Sequence, residues 1–168
     1  MRPFRADDLA LIEEASSDEF IPVLTTVPSD FTPEEGQAFI DRQNSRLSSG
    51  EGWSLAIVDR SSDRAVGQIG LWISHLAKGR AEIGYWVVES ARGNGAAAAA
   101  VDSLSEWAFD SLDVDRLTLF IEPWNTASLK TAERAGFERE AILKDWERVG
   151  GEPKDMWACV RLRPGADA

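Results

Sequence analysis

The stretch Glu89-Ser90-Ala91-Arg92-Gly93-Asn94-Gly95-Ala96-Ala97 carries the clearest chemical signal in the chain. It follows a strand-like segment and opens a run of helix formers. A helix start presents unpaired N–H groups and the positive end of the helix dipole, and both attract phosphate. Gly93 and Gly95 permit positive φ and close approach, and small Ala96 and Ala97 keep the first helical turn open. Arg92 adds a fixed positive charge. The pattern is that of a main-chain cradle for a diphosphate. A tight strand-to-helix turn without a ligand fits the glycines equally well.

Two other phosphate motifs are weighed by their surroundings. Gly93-Asn94-Gly95-Ala96-Ala97-Ala98 fits the dinucleotide pattern G-x-G-x-x-A. That fold needs successive parallel βαβ units, whereas the strands before residue 88 read as antiparallel. No lysine follows the glycines, which excludes a P-loop.

The elements that must position this loop follow from periodicity. Asp7 or Asp8 is placed to cap a short helix to about Ser16. Thr32-Pro33-Glu34-Glu35 starts a second helix, with Thr32 as N-cap, Pro33 in the first turn and Glu35 completing a capping box; it runs to about Ser48 and Gly50 ends it. Trp53–Val58, Ala65–Ile73 and Ala81–Val88 are rich in β-branched and aromatic residues and predict an antiparallel meander. Ala97, Val101, Leu104 and Ala108 recur at helical spacing, so a helix spans about Ala96–Phe109. Arg116–Ile121 is the next strand. Asn125 caps a helix to about Ala135, stopped by Gly136. Arg139–Trp146 and Asp155–Leu162 are the last strands, turned by Gly150-Gly151. A strand joined through a helix to another strand is normally a right-handed parallel crossover, so Ala81–Val88 should lie beside Arg116–Ile121 in a mixed sheet.

Composition narrows the chemistry. The 168 residues, 43% hydrophobic and 28% charged, suit one soluble globular domain, 1–168. No apolar run approaches the ~18 residues of a membrane span, and the N-terminus has no signal-peptide core. One cysteine, Cys159, rules out an intrachain disulfide. With His75 as the one histidine, a Cys/His zinc site is excluded, and a hydrolytic triad would rest on His75 alone. The net charge of −11 argues against nucleic acid and favours cationic partners. Residues 1–52 hold 11 acidic and 4 basic residues, which reads either as a solvated face or as the border of a site for a cationic substrate.

At these residues the chain resembles the GNAT superfamily of acyl-CoA-dependent N-acyltransferases. Arg92-Gly93-Asn94-Gly95-Ala96-Ala97 matches that family's Q/R-x-x-G-x-G/A element. Ile121-Glu122-Pro123-Trp124-Asn125-Thr126-Ala127-Ser128, followed by Arg134-Ala135-Gly136-Phe137, matches its second block. Glu82-Ile83-Gly84-Tyr85-Trp86 and Gly151…Asp155-Met156 look like the RimJ/RimL branch, the ribosomal-protein-alanine N-acetyltransferase-like proteins. The resemblance covers about Arg2 to Arg163 and is strongest over 81–137. It implies an α/β (α+β) fold with a mixed, mostly antiparallel central sheet of six to seven strands and helices on both faces.

The resemblance also assigns residues. The sheet is expected to splay where two parallel strands part, and acyl-CoA enters there. Main-chain groups of Trp86, Val87 and Val88 would pair with the pantetheine arm. Arg92, Gly93, Asn94, Gly95, Ala96 and Ala97 would hold the pyrophosphate, and Asn125 would contact the pantetheine arm while also serving as a helix cap. Many members place a tyrosine seven residues after the Asn to protonate the leaving thiolate; here that position is Ala132, and the one tyrosine, Tyr85, lies elsewhere. Ser128, the substitute seen in RimL-like proteins, is the candidate acid and is counted with Asn125 among the cofactor-binding residues; a plain first-turn helix serine is the alternative. Glu82 is the candidate base or amine anchor, with a structural partner such as Arg80, or a water as base, as the alternatives. Trp53, Trp72 and Trp146 are candidates for an acceptor groove. His75 is assigned nothing, and Cys159 reads as a small buried residue outside the site.

The expected reaction is direct acetyl transfer from acetyl-CoA to a primary amine in a ternary complex, with no metal and no covalent acyl-enzyme. A protein or peptide N-terminus is the favoured acceptor. A small amine such as an antibiotic or polyamine, and a larger acyl group such as succinyl, are the alternatives within the class. Outside it stands a non-catalytic acyl-CoA-binding or dinucleotide-binding module. The resemblance implies a cytoplasmic protein without nucleic-acid or membrane partners, and leaves room for a homodimer.

Overall fold

The structure, a computed structural model, describes residues 1–165. After a 3-10 turn at Ala6–Asp8 come α1 (Leu9–Ser16), α2 (Ile21–Leu24) and α3 (Pro33–Ser45). The strands β1 (Gly52–Val58), β2 (Ala65–Trp72) and β3 (Arg80–Val87) follow. Then come α4 (Ala96–Ser111), β4 (Arg116–Ile121), α5 (Thr126–Arg134), β5 (Glu138–Val149) and β6 (Glu152–Leu162). The strands form one six-stranded sheet in the order β1-β2-β3-β4-β6-β5. β4 and β5 both pair antiparallel with β6, and β3 pairs parallel with β4, as the strand-helix-strand order predicts. The β3–β4 register covers Arg80–Glu82 against Arg116–Thr118. β3 then runs on to Val87, and β4 to Ile121 in register with β6.

Several boundaries move. Pro33 does open α3, and Thr32 Oγ1 accepts the Glu35 N–H at 3.2 Å. The helix ends at Ser45, earlier than Ser48, because the Ser-rich segment up to Gly50 closes on itself through turns. Asp8 does not cap α1 through its side chain. Its carboxylate instead receives Arg2 through two bonds of 2.7 and 2.8 Å and the Arg5 N–H at 2.8 Å. The terminal hairpin is longer than predicted at both ends of its turn. Gly150 and Gly151 sit there with φ of 59° and 86°, a conformation glycine adopts without strain.

The described chain divides into two compact units. Met1–Gly70 with Tyr85–Ala97 is built on a core that includes Phe4, Ile12, Phe39, Ile40, Ala56 and Trp86. Buried polar groups inside it are bonded to one another. Gln43 Oε1 accepts from Ser54, Gln68 and Arg46, and Gln68 Oε1 accepts the Trp86 indole N–H at 2.7 Å. Leu71–Gly84 with the chain from Ala98 onward buries Val101, Leu104, Phe109, Leu117, Leu119 and Phe137. In it the Arg163 guanidinium bonds the carbonyls of Phe109, Leu112 and Val114, supplying donors where α4 ends and orphan carbonyls need them.

Candidate active site

In the first unit the end of β3 leads into the glycine loop. The Val88 N–H donates to the Val66 carbonyl at 3.0 Å. The Trp86 carbonyl lies so close to Gly67 that a Cβ there would stand 2.2 Å from its oxygen. Successive residues of a strand turn their main-chain groups to opposite edges. Trp86 and Val88 therefore serve β2, while Tyr85 and Val87 present theirs on the opposite edge. Of the three residues expected to pair with pantetheine, Val87 has the outward groups, and Tyr85 joins it. Strand alternation gives this once the β2 pairing is known, which the sequence does not supply.

The loop itself is held from α1. A 3-10 turn at Glu89–Ala91 carries the chain off the strand, and Glu14 accepts the Ser90 N–H at 3.2 Å. Arg92 Nη2 meets Asp18 Oδ2 at 2.5 Å, and Arg92 Nε meets the Val87 carbonyl at 3.0 Å. Gly93 and Gly95 have φ of 81° and 78°, with exposed Asn94 between them. A Cβ at either glycine would meet nothing within 4 Å. The protein does not crowd these positions; the backbone conformation is what demands glycine. α4 begins directly after, at Ala96, and runs 16 residues. Positive φ at alternate residues before a long helix turns main-chain N–H groups to one side, the arrangement that binds phosphate. The residues fit a diphosphate.

In the second unit Asn125 and Ser128 are joined. Asn125 Oδ1 accepts the Ser128 N–H at 3.0 Å as the N-cap of α5. That leaves the Asn125 amide N–H₂ as donor. Ser128 is half-buried, and Ala132 is fully buried on the packed face of the helix.

Glu82 is half-buried in β3 and has acidic company that the sequence did not single out. Burial, then the charges of Glu82 and Glu122, push the Glu147 carboxyl above its ordinary range. Glu147 reaches this place through an irregularity of β5, whose register with β6 shifts between Leu143 and Glu147. Asp155 pins the bulge, accepting Lys144 Nζ at 2.6 Å and the Asp145 N–H at 3.1 Å, and Asp145 has a φ of 50°. The bulge also carries exposed Trp146 onto Phe120, ring centroids 5.2 Å apart. Trp124 Nε1 bonds Glu122 at 2.8 Å. Of the other aromatic candidates, Trp53 and Trp72 are half-buried. His75 is exposed, and Cys159 is buried in β6. Among the described residues, no three His, Cys, Asp or Glu side chains are grouped to hold a metal ion, and no helix is long and apolar enough to cross a membrane.

The acetyltransferase (GNAT) domain family matches residues 1–138. The chain belongs to the GNAT acetyltransferase family. It is 32% identical over 114 residues to the uncharacterized N-acetyltransferase p20 of Bacillus licheniformis, which covers 68% of this chain and 64% of that relative. The GNAT fold is matched by RimJ of Mycobacterium smegmatis, solved in complex with CoA-disulfide, with a TM-score of 0.81, 23% identity and coverage of 99% of this chain and 83% of that one. Ribosomal-protein-S5-alanine acetyltransferase of Vibrio fischeri superposes with a TM-score of 0.75 at 17% identity, covering 98% and 92%. The expected family and the mixed, mostly antiparallel sheet are thus both found, and the sheet has six strands.

Proposed function

We propose that this GNAT protein transfers the acetyl group of acetyl-CoA to a primary amine, with a protein or peptide N-terminus as acceptor. The observation that carries the reading is the paired positive-φ glycines, Gly93 and Gly95, which lead from the 3-10 turn after β3 into α4. Main-chain donors of Gly93–Ala97 hold the pyrophosphate, and the outward groups of Val87 and Tyr85 pair with the pantetheine amides. Asn125 offers its amide N–H₂ to the same arm.

The neutral acceptor nitrogen attacks the thioester carbonyl, forming the C–N bond, and the C–S bond breaks as the tetrahedral intermediate collapses. Ser128 passes a proton to the departing thiolate and takes one from solvent in the same step, so that its hydroxyl is restored. Glu82 takes the proton the amine sheds, directly or through water. A peptide α-amine, with a pKa of about 8, is neutral often enough near pH 7 to need little help, whereas a lysine amine at about 10.4 needs far more. That favours an N-terminus over a lysine side chain. The carboxylates of Glu82, Glu122 and Glu147 favour an acceptor with further positive charge, which keeps a polyamine as the second reading.

A mass-spectrometric screen with acetyl-CoA, peptides of varied N-terminus and a polyamine tests this. Acetylation of peptide α-amines is the expected outcome. Turnover of the polyamine alone would replace the peptide reading, and no turnover with measurable acetyl-CoA binding would leave a binding module.

A further inference from the structure

Asp18 lies between α1 and α2, with a side chain only 7% exposed. Its Oδ1 accepts the N–H groups of Phe20 and Ile21 at 2.9 and 3.0 Å, which fixes the start of α2. Its Oδ2 takes the Arg92 guanidinium at 2.5 Å. Burial alone would raise this carboxyl, but the two N–H groups and Arg92 outweigh it and hold it below its ordinary value, so the group is charged near neutral pH. The same guanidinium donates Nε to the Val87 carbonyl. One turn earlier on α1, Glu14 accepts the Ser90 N–H. The segment from Val87 to Arg92 is therefore tied at two points to carboxylates of the N-terminal region, one on α1 and one in the link between α1 and α2.

We propose that Asp18 is a positioning residue for the cofactor loop, acting through Arg92 to fix the Val87 carbonyl and the entry into Gly93–Gly95. The inference rests on the reading that this loop holds acetyl-CoA. A guanidinium is a planar fork, and a carboxylate on Nη2 sets the plane in which Nε meets Val87. Without it, Arg92 loses its orientation, and the φ-positive segment that follows loses its fixed end. A merely structural Asp18 would act through α2 alone. A merely electrostatic one would weaken diphosphate binding, because its negative charge offsets Arg92, and removing it would tighten the complex.

The test is Asp18→Asn, Arg92→Gln and the double variant, with acetyl-CoA affinity measured by calorimetry and KM and kcat measured on an active acceptor. Asparagine keeps an oxygen for the Phe20 and Ile21 N–H groups and loses the charged acceptor for Arg92. The expected result is about a tenfold weaker affinity in Asp18→Asn, in the range of a lost charge-assisted hydrogen bond. The acetyl-CoA KM rises with it, and kcat at saturation stays within about twofold. The double variant should be no weaker than Arg92→Gln. Unchanged or tighter binding by folded Asp18→Asn, or additive losses in the double variant, overturns the proposal. Amide exchange on unliganded Arg92→Gln reads the same relay if Asp18→Asn does not fold. Faster exchange over residues 88–97 supports it, and unaltered exchange overturns it. Failure of the wild-type protein to bind acetyl-CoA would remove the function reading and this inference together, whereas wild-type binding with an indifferent Asp18→Asn removes the inference alone.

Discussion

Asn125 Oδ1 accepts the Ser128 N–H at 3.0 Å, which locks the third residue of α5 to the residue that caps it. The cap needs only the main chain of Ser128, so its hydroxyl can be removed without disturbing the helix start. Ser128→Ala therefore keeps this cap, and calorimetry checks that its acetyl-CoA affinity stays near that of the wild type. If Ser128 protonates the thiolate, kcat should fall on the order of 10²-fold, within the usual range of general acid catalysis. Steady-state kinetics with the best acceptor decide it, and a near wild-type kcat would assign the proton to solvent.

Gly95 has a φ of 78° and open space where a Cβ would stand. Substitution there acts through backbone conformation and approach of the ligand, not through a clash inside the protein. Gly95→Val should abolish measurable acetyl-CoA binding while the protein stays folded. Gly95→Asn, a residue that tolerates this conformation, should bind measurably but more weakly. Calorimetry on both, with circular dichroism as the fold control, checks the order; Gly95→Val binding as tightly as wild type would take the loop out of the cofactor site.

The parts of this site that were legible in the sequence are those fixed by local backbone chemistry. Gly93 and Gly95, the Asn125 cap and the Gly136 stop depend on residues within a turn of one another, and each stands where its chemistry requires. The parallel pairing of β3 with β4 followed from connection handedness alone. Glu147, Glu122 and Trp146 were not legible as a group, because a bulge in β5 shifts the register that periodicity assumes. Arg92 showed a similar limit. Its charge suited phosphate, but its partner Asp18 lies 74 residues away, a distance that no local pattern spans.

Glu147 carries a pH signature. Burial, then Glu82 and Glu122, raise its carboxyl above its unfolded value, so the folded protein binds this proton more tightly than the unfolded chain does. The resulting stabilisation is full below the unfolded pKa and is lost as pH rises through the raised folded one. Glu147→Gln removes that loss. Its thermal midpoint relative to wild type should climb as pH rises above the ordinary glutamate value of about 4.3. Calorimetric melts below and above that value test it, and a constant difference would mean that Glu147 ionises as an ordinary surface carboxyl.

Acceptor charge is the property on which the acidic surface bears most directly. Residues 1–52 carry 11 acidic and 4 basic residues, but several of these carboxylates are already matched by arginines: Asp8 by Arg2, Asp18 by Arg92, Glu51 by Arg46. Glu13, Glu19, Glu34 and Glu35 of this segment are exposed, and in the second unit the charges of Glu82 and Glu122 act on Glu147. Attraction between exposed charges fades beyond roughly 8 Å at physiological ionic strength, whereas a partly buried pair is screened less. Raising salt to about 0.5 M, where the screening length shortens further, should lower kcat/KM for a basic peptide and leave a neutral one nearly unchanged. Glu147→Gln separates the two sources. If the second-unit carboxylates contact the acceptor, this variant should lower kcat/KM for the basic peptide even at high salt. If the N-terminal segment acts at long range, the variant should follow the wild-type salt curve. Parallel curves for basic and neutral peptides would leave acceptor choice to the shape of the pocket.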